Sequence, residues 1–170
     1  VASLYPSNTT AFQVARAQGA LAGYAHGAGR NFAADLALDN VDFVEVNTIE
    51  GMEPLYRAWN CGYRVVASAG EDAFGNFYRS YIIGSNRVYV KTGKTLDYDK
   101  WIADFRAGRS FVSAGPLVYF TVNGKDPGDE ITLPAGSHTL RAVAEVRSIM
   151  PIEKIELLFN NQVVAEVAPS

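Results

Sequence analysis

The chain has 170 residues, 48% of them hydrophobic and 19% charged, and a formal net charge of -3. That is enough chain for one domain or one and a half, with the make-up of a soluble globular protein. It has no cluster of Lys and Arg and no apolar run near the ~20 residues of a membrane span, which argues against nucleic acid as a partner and against a spanning segment.

Cys61 is the only cysteine, so no intrachain disulfide can form, and a single thiol fits a reducing compartment weakly. No signal peptide is visible. The chain opens on Val1, Ala2 and Ser3 and runs almost at once into a helix, which leads us to expect a fragment of a longer protein. Its localisation is unassigned, and an extracytoplasmic place for the parent stays open.

Thr9 to Gln18 reads as the first helix, N-capped by Ser7 or Asn8 and ended at Gly19. Leu21 to Ala25 is a short buried strand that delivers His26 into a glycine turn. Phe32 to Leu38 follows as a short helix. In the strand Val41 to Asn47, Val44 and Val46 share one face and Phe43, Glu45 and Asn47 the other. Glu45 and Asn47 therefore lie on an exposed face or on the wall of a polar pocket. Gly51 to Asn60 is a helix striped by Met52, Leu55 and Trp59, and Pro54 sits in its first turn, where a missing N–H costs little.

Val65 to Ala69 reads as a short strand buried on both faces, bounded by Gly62 and Gly70. It delivers Glu71 and Asp72 into a turn. Strand and helix alternate from Leu21 to Gly70, which predicts parallel strands with right-handed crossovers, and the same reading extends to residue 113. In such sheets ligands collect at the carboxyl ends of the strands, where His26, Glu71 and Asp72 lie. Imidazole and carboxylate are ligands for zinc, manganese or iron. A histidine in a turn is also an ordinary hydrogen-bonding residue, and Glu-Asp at a turn is also an ordinary solvated pair.

Residues 74–86 are aromatic and polar without clear period, as in functional loops and in irregular packing alike. Arg87 to Val90 reads as a strand. Asp97 or Tyr98 opens a helix striped by Trp101, Ile102 and Phe105 and stopped at Gly108, and Phe111 to Ser113 is a short strand. After Pro116 the period becomes two. Strands are expected at 117–123, 130–133, 138–147, 155–159 and 163–167, with Leu140, Ala142, Ala144 and Val146 facing inward. This antiparallel module of about five strands resembles a small immunoglobulin-like sandwich. His138 reads as structural.

Five stretches carry a family resemblance. Residues 19–26, Gly-Ala-Leu-Ala-Gly-Tyr-Ala-His, resemble the segment of PHP (polymerase and histidinol phosphatase) metallohydrolases that ends in a metal-binding His. Residues 41–47 resemble the next strand of that barrel. Residues 60–74 resemble the late strand whose end gives a metal-binding Asp. Residues 87–90 and 107–116 look like downstream features of the carbaryl-hydrolase-like branch, in which a small β module follows. The resemblance implies an α/β fold: the C-terminal half of a distorted PHP-type β/α barrel over residues 1–115, then the β module over 116–170. It implies His26 and Asp72 as metal ligands. Glu71, Glu45, Asn47 and Arg79 are candidates for the surroundings of the ion or for the substrate wall, on the residues themselves.

The chain departs from the family pattern twice. It contains no His-x-His pair, which the family's N-terminal half supplies, and Phe74 stands where the family commonly has a second His. The expected function is thus that of a fragment of a metal-dependent hydrolase acting on a small phosphoester, amide or carbamate. The parent would hold zinc, manganese or iron, while the isolated chain would lack a complete site and activity. Unpaired strand edges would favour self-association. The competing reading is a degenerate, non-catalytic domain that acts in binding or interaction.

Overall fold

The computed structural model describes residues 7–48, 50–73 and 82–168. The expected stretch 74–81, with Phe74 and Arg79, lies outside them. Helices and strands mix, and the sheets are small, with none closed into a barrel among the described residues.

A three-stranded parallel sheet of order β1-β2-β3 lies at the centre, built from β1 (Gly23–Tyr24), β2 (Phe43–Glu45) and β3 (Val66–Ser68). Phe43 pairs with Gly23 on one side and with Val66 on the other. Parallel neighbours need a crossover, and the helices supply it. The crossovers are α2 (Phe32–Ala37) and α3 (Glu53–Asn60), and α1 (Asn8–Ala17) precedes β1. Ser7 caps α1 through its hydroxyl, which accepts from the Thr10 N–H, and Pro54 falls in the first turn of α3.

Period two along β2 decides which side is covered. Val44 and Val46 are buried, and they pack with Tyr24, Phe32, Leu36, Leu55 and Ala58 into one core on the side of α1–α3. Phe43 faces the other way and meets Phe105 edge-on, at 5.7 Å between centroids. Phe105 belongs to α4 (Tyr98–Arg106), whose N-cap Asp97 accepts from the Lys100 N–H. The sheet is thus covered by helices on both sides, as a parallel sheet requires.

The pairing changes after residue 86. Strands β4 (Arg87–Val90) and β5 (Ser110–Ser113) form an antiparallel pair with Tyr89 opposite Phe111, which corrects the expectation of parallel strands up to residue 113. The chain leaves α4 through Gly108, whose φ of +74° turns it back along β4. The two rings then stack at 5.1 Å with 13° between planes, a cross-strand contact that fixes this register.

Two further antiparallel pairs follow. Strand β6 (Leu117–Val122) pairs with β7 (Ala142–Arg147), and β8 (Ile155–Phe159) pairs with β9 (Gln162–Val167). They are separate two-stranded sheets. Three expectations need correction. Residues 130–133 are not a strand, because the run stops at Pro134 and finds no pairing partner among the described residues. The strand expected from residue 138 begins only at Ala142, since the Arg141 N–H is taken by the Asn123 side chain. Leu140, Ala142 and Ala144 are exposed, because no second layer among the described residues covers them, and of the four only Val146 is half-buried.

Candidate functional site

Strands β1, β2 and β3 run in one direction, so their carboxyl ends share one edge of the sheet. His26, Glu45 and Asp72 all follow from these ends. Glu45 ends β2, the middle strand, and this position lets it serve both neighbours.

His26 has φ of +59°, a left-handed conformation that costs a residue with a Cβ energy unless its surroundings hold it. Glu45 holds it twice. Its carboxylate Oε2 accepts from the His26 N–H at 3.1 Å, and its main-chain carbonyl accepts from the Gly27 N–H at 2.9 Å. The other oxygen, Oε1, lies against Gly70 at the end of β3, where an added Cβ would come within 2.8 Å of it. Glu45 therefore joins the turns after β1 and β3. The imidazole of His26 and the carboxylate of Asp72 are exposed.

Asn47 is half-buried, and its Oδ1 has no hydrogen-bond partner among the described residues. Glu71 is committed elsewhere. Its carboxylate accepts from the Asn86 N–H at 2.6 Å, and this bond, helped by donors at Gly84 and Ser85 and by the Arg87 charge, holds its pKa below the ordinary glutamate value. Glu71 is thus tied to the residues just before β4. Arg79 lies outside the described residues.

Imidazole nitrogen and carboxylate oxygen suit zinc, manganese or iron. Among the described residues, however, no group of three His, Cys, Asp or Glu side chains stands close enough to hold an ion. The donor chemistry fits a divalent metal, but the described residues do not supply a closed set of ligands. His138 is remote from this chemistry: a ring nitrogen lies 2.8 Å from the Pro134 carbonyl oxygen. Among the described residues no helix is long and apolar enough to cross a membrane.

Three buried or nearly buried carboxylates were not foreseen. Asp35 is fully buried in α2 and accepts from the hydroxyls of Tyr24 and Thr9. Asp42 accepts from Arg16 Nη1 and from the Ala22 N–H, and Arg106 approaches at 3.8 Å, so it ties α1, β1 and α4 at the amino end of the sheet. Asp104 in α4 is paired with Lys100 and Arg109.

No family model, no curated protein and no solved structure matches the chain.

Proposed function

We propose that the chain is the C-terminal part of a PHP-type, metal-dependent hydrolase acting on a small phosphoester, amide or carbamate. In this reading the three-stranded sheet is a portion of the family's distorted barrel. His26 and Asp72 bind a divalent ion together with ligands from outside the described residues. Glu45 orients His26 by holding its turn, and Asn47 offers an acceptor to the substrate. The supporting observation is the carboxyl edge of the sheet, where Glu45 bridges the turns that lead to His26 and Asp72. The bound ion would bring the pKa of its water toward ~7 and polarise the scissile group.

The test is competition for zinc and manganese with a chromophoric chelator, on the 170-residue chain and on the longer protein of which we take it to be part. We expect weak binding by the chain alone and stoichiometric binding by the longer protein. His26→Ala and Asp72→Ala should each abolish the latter, while Glu71→Ala should leave it, because Glu71 is engaged with Asn86. Tight stoichiometric metal on the short chain would overturn the proposal, as would equal loss from Glu71→Ala and Asp72→Ala.

One observation favours a second reading, that of a non-catalytic binding protein. Strand β9 is exposed along its length, including Val163, Val164 and Val167, and Phe159 in β8 is 61% exposed. A longer protein that neither binds metal nor hydrolyses any of the three substrate classes would favour this reading.

A further inference from the structure

The β4–β5 pair, strand β6 and residues 126–127 line a half-open cavity of about 420 Å3 that involves none of His26, Glu45, Asn47, Glu71 or Asp72. Tyr89, Phe111, Leu117, Val118, Phe120 and Pro127 make most of its wall. Its volume lies within the roughly 300–1,000 Å3 of small-molecule sites, and its mainly apolar lining with a few polar groups is typical of them.

Fixed contacts brace the cavity at both ends. At one end the Ser113 hydroxyl donates to the Pro116 carbonyl at 2.5 Å and accepts from the Gly115 N–H at 2.9 Å. This corner turns the chain from β5 into β6. At the other end Lys91 Nζ reaches both oxygens of Asp126, at 2.7 and 2.6 Å. Beside it Gly128 lies so close to Ala107 that an added Cβ would be 2.1 Å from the Ala107 carbonyl oxygen. The strands are held apart at a set spacing, and the half-buried Tyr89 and Phe111 keep apolar surface open between them.

The charges at the wall are already matched. Lys91 is engaged by Asp126, and Arg109 lies 3.3 Å from Asp104 and 3.8 Å from Asp129. Each cation thus has an acidic partner beside it. The stacked pair of Tyr89 and Phe111 presents flat ring surface, which favours a flat partner.

We propose that this cavity is a binding site for an uncharged, largely hydrocarbon molecule built on a planar ring. The probe is the neutral planar dye Nile red, titrated by fluorescence, with nuclear Overhauser contacts recorded to the rings of Tyr89 and Phe111. We expect saturable one-to-one binding and contacts to both rings. Val118→Trp fills the cavity and Tyr89→Ser removes half of the stack; each should weaken binding about tenfold or more, the scale of one lost aromatic contact in a desolvated site. If Val118→Trp loses its cooperative thermal transition, Tyr89→Ser and the ring contacts decide. Lack of saturation, ring contacts that are absent, or binding that persists in both folded variants and disappears in Phe159→Ser would overturn the proposal.

Discussion

Tyr24 and Asp35 form a buried pair in which each needs the other. The Tyr24 ring is packed edge-on between Phe12 and Phe32, and its hydroxyl donates to the Asp35 carboxylate. Burial, with the carboxylate beside it, pushes the Tyr24 pKa up to about 12. In the unfolded chain a tyrosine titrates near ~10. Between these values the unfolded state loses the proton first and the folded state keeps it. The contribution of Tyr24 is therefore complete below pH ~10 and falls away as pH rises toward 12. Urea unfolding of the native protein should show this alkaline loss, and Tyr24→Phe should show less of it. At neutral pH the same substitution should cost about 1–3 kcal/mol, because one donor to a buried carboxylate disappears. A Tyr24→Phe protein with unchanged neutral stability and an unchanged alkaline limb would refute this account. Asp35 could not be read from the sequence, since helical periodicity puts it beside Leu36 with no sign that a tyrosine 11 residues earlier in the chain would reach it.

Among the elements, the turns respond most differently to a single methyl group. Gly62 and Gly128 both have positive φ, at +84° and +85°. An added Cβ at Gly62 meets nothing within 4 Å, whereas at Gly128 it would run into the main chain of Ala107 and Gly108. Gly62→Ala should therefore cost only the conformational penalty, about 1 kcal/mol. Gly128→Ala should cost clearly more, since backbone atoms must move and the Lys91–Asp126 contact nearby moves with them. Thermal unfolding of the two variants side by side checks this, and equal losses would show that the segment is free to shift. The sequence foretold such elements unevenly. The alternation of Val44 and Val46 against Phe43, Glu45 and Asn47 records the face turned to α1–α3, but not that Phe43 meets Phe105 of α4 on the other. Arg87 to Val90 and Ser110 to Ser113 mark strands but not their direction, which only the return of the chain at Gly108 fixes. At the candidate site, the positions of His26 and Asp72 at strand ends were readable from the glycine turns. The role of Glu45 was not, because it depends on which strand lies in the middle.

In the molecule as a whole, burial is concentrated in the first half. Val44 and Leu55 are fully buried, while β9 is exposed throughout. A two-stranded sheet is marginal alone, so β8–β9 should open far more readily than the parallel sheet. Hydrogen exchange should find the β2 amides the slowest and the β9 amides among the fastest. Protection of β9 that grows with protein concentration would instead reveal association through its face. One feature of the second half, the pairing of β6 with β7, has a separate meaning for how the chain can vary. Its two strands close over residues 123–141, whereas β8 and β9 close over the tight turn at Asn160 and Asn161. The entropy of closing a flexible loop rises only with the logarithm of its length, so doubling it costs about 0.6 kcal/mol. The exposed stretch 132–140, beyond the braced residues 123–130, is therefore where this protein can gain or lose residues at little thermodynamic expense, whereas the Asn160–Asn161 turn, with both residues left-handed, tolerates such a change poorly.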